Sequence, residues 1–405
     1  MNPVSSPIPG TQNETVTRSG LAHCAADALE AICPETTKSL RSLVGFDGFV
    51  DSIIHVVDQR HSMAHEDYKR IRTIPEFAAR VRRGEPVREH RAHRHRHALR
   101  RERAVALLRA RIARVARHLH RRGLDRGRLE QGRPDLSAFR RQVRIRHPAL
   151  SSRRTDALEF DDGKIMLGKP ESVQLATWDR IKEVVGLEQL IAMIDEVKLI
   201  SVVNWTLVGG VEGIWDGLCT DVFPKLSKAN NRRIFIDLSD PAKRTDEDIV
   251  RAMGKIQQLQ HHMPVTLGLN LAESGRVARV IGVEAYDDEH NRTLAGMVPE
   301  AAELIRAKLG LDCVVIHQHT GAGGANAAGE SHWFTGPYTR KPRISTGAGD
   351  HFGGGFSFAQ MAGLGLGESL AAACGVAGAY VRDAASPTRK RLIEFLRDLP
   401  VPEVH

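Results

Sequence analysis

Apolar positions in the second half of the chain fall into short unbroken runs separated by stretches of helical length. Residues 197–203, 233–238, 265–269 and 313–317 read as strands, with helices near 187–194, 211–226 and 299–309 between or beside them. Thr245, followed by Asp246, Glu247 and Asp248, marks one more helix start, where a hydroxyl and three acids suit the unpaired N–H groups and the dipole. Strands that are apolar at successive positions are buried on both faces. Alternating with helices, they predict a mainly parallel sheet covered on both sides. Upstream, a helical pattern near 21–32 precedes residues 42–54, which read as a buried strand running into a second apolar segment. Residues 61–79 form a polar, partly helical excursion. Two strand-like runs around Asp162-Gly163 predict a hairpin over 155–170. Residues 1–20, rich in Pro, Ser, Thr and Asn, have little to bury and are expected to be disordered.

A chain of 405 residues can bury one large α/β core. No apolar run approaches the roughly 18 residues that span a bilayer, and residues 1–17 carry no secretory pattern. The five cysteines are scattered, odd in number and without a CxxC, which fits reduced thiols in a cytoplasmic protein. The net charge of +9 comes from one segment. Residues 81–154 hold 24 Arg, no Lys and 6 acids, about +18, which leaves the rest of the chain near −9.

That segment admits three readings. As a nucleic-acid-binding arm it has the arginines, and Leu108, Ile112, Val115 and Leu119 lie at helical spacing, but only Phe139 interleaves an aromatic. As a metal site, His93, His95 and His97 alternate with cations and have no supporting carboxylate. The third reading is a pair of compensating frameshifts: arginine without lysine, mixed with Ala, Leu, His and Gly, is what GC-rich codons yield out of frame. It is favoured here, and translating the other two frames tests it.

The chemistry concentrates at Thr346-Gly347-Ala348-Gly349-Asp350 and the glycine-rich stretch that follows to Phe356. Gly347 and Gly349 can turn successive N–H groups into one concavity, and a helix beginning near Asp350 adds the positive end of its dipole, so the stretch predicts an anion site. A carboxylate beside a bound anion is suited to accept a proton from a hydroxyl attacking phosphorus. Gly353, Gly354 and Gly355 imply close packing along that helix.

Thr346-Gly347-Ala348-Gly349-Asp350-x-Phe352-x-x-Gly355 resembles the C-terminal signature of the ribokinase-like (PfkB-type) carbohydrate kinases. The resemblance implies an α/β, ribokinase-like three-layer fold with a mainly parallel central sheet over 21–400 and a small β lid formed by the 155–170 hairpin. It implies ATP and Mg2+ as cofactors and a sugar or nucleoside as substrate. Asp350 would be the base, and Gly347, Ala348 and Gly349 the anion hole. Asn270-x-x-Glu273, at a strand end where ligands of parallel sheets gather, resembles the family's NxxE motif, which orders magnesium largely through water; a plain helix cap is the alternative. Asp51, with Asp47 second, matches the sugar-binding aspartate after the first strand. Thr346 and Gly321, the latter in the run 320–324, fall where the family approaches nucleotide, as do Lys243 or Arg244 after Asp237. The small-residue stretch 371–380 would flank the adenine. The family's Gly-Gly substrate segment is not visible between 81 and 154.

No GxxxxGK[ST], HExxH, nucleophile elbow or GxGxxG after a first strand is present, which disfavours P-loop, hydrolase and dehydrogenase chemistry. A catalytically impaired binding protein and a nucleic-acid-binding protein remain the alternatives. Oligomeric state is open, a homodimer included.

Overall fold

The computed structural model describes residues 17–33, 36, 40–45, 50–60, 68–83, 88–91, 154–160, 163–168, 174–227, 231–286 and 293–403. Its centre is a seven-stranded sheet in the order β1 (Ser42–Gly45), β7 (Leu199–Val203), β8 (Arg233–Asp237), β9 (Val265–Asn270), β10 (Cys313–Gln318), β11 (Gly321–Asn326) and β12 (Ser331–Thr335). The first five are parallel; β11 and β12 extend the edge antiparallel.

Period-two alternation divides the sheet into two apolar faces. Ile200, Val202, Ile234, Ile236, Leu267, Leu269, Val314 and Ile316 pack with α4 (Leu187–Asp195), α5 (Val211–Gly217), α6 (Asp246–Gln260), α7 (Leu271–Val280) and α8 (Leu294–Leu309). Leu199, Phe235, Cys313 and Val315 pack with α1 (Arg18–Ala31), α9 (Ala348–Met361), α10 (Leu366–Asp383) and α11 (Arg389–Arg397) on the other face. The outcome is the expected three-layer α/β architecture.

A second sheet joins β2 (Val50–Arg60), β3 (Tyr68–Arg70), β4 (Arg88–Arg91), β5 (Arg154–Phe160) and β6 (Gly163–Gly168). The predicted hairpin is there, with Phe160 opposite Gly163. Phe160 is buried with Ile71 and its ring centroid lies 5.5 Å from that of Phe77, on the helix α2 (Ile74–Arg82). A remaining helix, α3 (Trp178–Val185), leads back into the main layer.

Several elements differ from their prediction. Residues 42–54 hold two strands, as the strand and second apolar segment implied, but they part company: β1 belongs to the main sheet and β2 to the small one. Helix α1 begins at Arg18, inside the segment expected to be disordered, with Thr17 as its cap. Helix α8 begins at Leu294 with Pro299 inside it; the proline packs on Gly323 of β11, where a methyl group would meet its ring at 3.1 Å. The helix predicted over 211–226 is helical to Lys225 but not uniform: it is α to Gly217, widens to a π-helix over Leu218–Val222 and tightens over Phe223–Lys225. Most of the arginine-rich segment, with His93, His95, His97 and the frameshift question, lies outside the described residues.

Candidate active site

The carboxyl ends of β7 to β10 meet along one edge of the sheet, with Val203 opposite Asp237, Asp237 opposite Gly268, and Asn270 opposite His317. Alternation decides which way their side chains go. Asp237 follows Phe235 by two residues and Asn270 follows Thr266 by four, so both take the α9 face; His317 follows Cys313 and Val315 onto it. The backbone here is contorted: Asn204, Ser239 and Asp240 all adopt left-handed angles, with φ of 66°, 58° and 70°. Such conformations are costly outside glycine and gather at functional sites.

Helix α9 points its first turn at this edge. Gly347 is its N-cap, with φ 88°, and no side chain caps it. Thr346 is buried before it. The Ala348 N–H donates to the Ser345 carbonyl at 3.1 Å, closing the turn, and Gly349 lies in the first helical turn, where N–H groups have no carbonyl four residues back within the helix. A methyl group on Gly349 would stand 3.4 Å from the His317 ring. Asp350 is exposed in that same turn. Further along, Gly353 and Gly355 do allow close approach, to Phe235 and to Ala373 with Val376, whereas Gly354 faces open space.

The edge is crowded with carboxylates. Burial, then the charges of Glu273 and Asp350, push the Asp237 carboxyl up to about 7, although the Ser239 N–H and hydroxyl both donate to it. Glu273 is raised too, mainly by burial. One of its oxygens accepts the Asn270 N–H and the other the Asp240 N–H, both at 2.8 Å, while the Asn270 amide oxygen accepts the Glu273 N–H at 2.9 Å. Asn270 and Glu273 therefore form a reciprocal capping box on α7. The box also ties the turn at Asp240 to the end of β9. Among the described residues, no three carboxylate, imidazole or thiol groups converge tightly enough to hold a metal by themselves.

A family model of prokaryotic ketohexokinase matches residues 16–399. The chain belongs to the prokaryotic ketohexokinase family. It is similar to a ketohexokinase of Haloferax volcanii, 28% identical over 392 residues that cover 95% of this chain and 96% of that one. Among solved structures it is similar to a ribokinase from Thermotoga maritima (TM-score 0.48, 16% identity, 88% of this chain and 99% of that one) and to a PfkB protein from a Polaromonas species (TM-score 0.46, 14% identity, 87% and 99%). The kinase reading of the sequence therefore holds at the level of the family.

In this ketohexokinase-family chain the remaining predicted residues are placed unevenly. Asp51 stands in β2, in register with Thr155 of β5; Asp47 lies outside the described residues. Gly321 opens β11 and is packed against the Phe334 carbonyl and the Trp333 ring, so its glycine character answers to strand packing. Lys243 pairs with Asp240 at the surface. Arg244 lies over the Trp205 ring at 5.1 Å and donates to the Trp205 and Thr206 carbonyls. The stretch 371–380 lies in α10, packed along α9. Sequence reasoning noticed Asp237 without assigning it a role, and it missed Asp240, His317 and His351. Period-two counting from Phe235 would have put Asp237 on the α9 face; nothing local marks the others. No helix among the described residues is long and apolar enough to cross a membrane, and Cys24, Cys33, Cys219, Cys313 and Cys374 form no disulfide.

Proposed function

We propose that this chain transfers the γ-phosphate of ATP to a hydroxyl group of a ketohexose. The observation that carries the reading is an exposed Asp350 in the first turn of α9, beside Asp237, at the sheet edge of a ketohexokinase-family chain. In-line transfer asks three things of such a site: an acceptor for the hydroxyl proton, donors for the charge on the transferring group, and exclusion of water.

Asp350 accepts the proton from the sugar hydroxyl as its oxygen attacks. The turn at Gly347 to Gly349 and the start of α9 supply backbone N–H groups and a positive dipole end toward the phosphate. Asp51 and the small sheet hold the sugar, with the β5–β6 hairpin as the lid that keeps water from the phosphate. Thr346 lies at the nucleotide, and Asn270 and Glu273 order the metal through water.

The residues fit a hard divalent ion. Asp237, half-buried, stands close enough to the buried Glu273 and to the exposed Asp350 to feel the charge of both. They do not form a closed ligand cage. Magnesium typically binds in this way, through one or two carboxylates, its own waters and substrate phosphates. When bound, the ion neutralises phosphate charge; the chain's part is to hold Asp237 and Glu273 where that charge gathers.

A coupled assay of ADP release against ketohexoses, other sugars and nucleosides tests the reading. Asp350→Asn should lower kcat by at least about a thousandfold while nucleotide affinity changes less than about threefold. An Asp350→Asn enzyme with ordinary turnover would remove Asp350 as the base.

A further inference from the structure

We propose that His351 and Tyr380 are positioning residues that clamp the turn before α9, so that the turn is closed and its Gly347 amide already aimed when phosphate arrives. The inference rests on the anion-site reading above and concerns side chains that reading does not use.

The geometry is specific. The Tyr380 hydroxyl, on α10, donates to the Thr346 carbonyl at 2.8 Å. The His351 ring, on α9, places Nδ1 2.6 Å from the next carbonyl, that of Gly347, and Nε2 2.8 Å from the Ser386 hydroxyl. The two rings lie face to face, centroids 3.6 Å apart and planes within 13°. Two stacked side chains from adjacent helices thus hold two consecutive carbonyls of one turn.

A carbonyl can only accept, so Nδ1 carries the hydrogen. In the neutral ring Nε2 is then the acceptor, and the Ser386 hydroxyl donates to it, fixing that tautomer. In a trans peptide each N–H points opposite to the carbonyl of the same plane. Holding the Thr346 carbonyl therefore sets the direction of the Gly347 N–H. Holding the Gly347 carbonyl sets the Ala348 N–H, which meets Ser345 and closes the turn. Gly347, at φ 88°, has the most permissive backbone of the turn, and the His351 ring reinforces the 3.1 Å bond that the His351 N–H makes to the Gly347 carbonyl. Donors fixed in advance are worth more to a transition state than donors that must reorient.

The test uses the full-length enzyme. His351→Phe keeps a stacked ring and loses the contacts to Gly347 and Ser386, whereas His351→Asn keeps a donor where Nδ1 stood. His351→Phe should lower kcat by about tenfold to a hundredfold with KM for ATP and sugar within about threefold, and His351→Asn should restore kcat to within about threefold of wild type. Amide exchange across residues 344–352 should be about tenfold faster in His351→Phe and near wild type in His351→Asn. If Phe and Asn behave alike in both measurements, or if His351→Phe matches wild type, the clamp is refuted. Should His351→Phe fail to fold, Tyr380→Phe carries the same test, since it keeps the ring and removes the hydroxyl that holds the Thr346 carbonyl; unchanged kcat and exchange would then refute the clamp. A wild type that phosphorylates no sugar counts against the kinase reading, while the exchange data still decide the clamp.

Discussion

Replacing Asp237 with asparagine should stabilise the protein at neutral pH and leave it nearly unchanged in acid. Asparagine has the same shape and keeps an oxygen to accept from Ser239, but it carries no charge. Burial and the neighbouring Glu273 and Asp350 raise the Asp237 carboxyl from 3.8 to about 7. Between those values the unfolded chain has released a proton that the folded chain still holds. The folded state therefore has its full stability below about pH 3.8, loses it progressively as pH rises, and stops losing it above about 7. At about 1.4 kcal/mol per pH unit the ceiling on that loss is about 4 kcal/mol. Asp237 keeps some access to solvent at the strand end, so an effect of about 2 kcal/mol is expected. Urea unfolding of both proteins at steps from pH 4.5 to 8.5 measures it. The variant's advantage should open through this interval and level off above pH 7. A variant no more stable than wild type at pH 8, or one whose advantage grows as pH falls, would refute the crowding of charge at this edge.

Further predictions concern the helices that carry the site. Gly347→Ala places a side chain at φ 88° and should cost about 1–2 kcal/mol, with kcat reduced, by thermal unfolding and turnover. Gly355→Ala and Gly354→Ala should have opposite signs. The first puts a methyl group 3.0 Å from Ala373 and Val376 and should cost about 1–3 kcal/mol; the second meets nothing within 4 Å and should stabilise by up to about 1 kcal/mol. Denaturant melts of the two variants compare them directly. Thr245→Ala removes half of the capping box on α6 and should cost about 1 kcal/mol by the same measure, without touching activity.

What the sequence determined by itself was local. Unbroken apolar runs specify strands buried on both faces, so β7 to β10 and the helices between them were legible, as was the cap at Thr245. The glycine turn and Asp350 could be read because a turn built from closely spaced glycines and an acid leaves a contiguous signature. The antiparallel edge was not legible: Gly321 to Asn326 is nearly all glycine and alanine, which resembles a loop until Val298, Pro299 and Trp333 are seen pressed against it. Nor was the division of residues 42–54 between two sheets, since strand periodicity does not name a strand's partner. The electrostatics of the site were decided by tertiary structure alone. Asp237, Glu273 and Asp350 are far apart in the chain, and it takes the parallel register of β8 with β9 and the placement of the α9 start to bring the other two charges to Asp237. The same holds for His351, Tyr380 and Ser386, which meet across the packed pair α9 and α10, where Gly355 lets the helices approach closely.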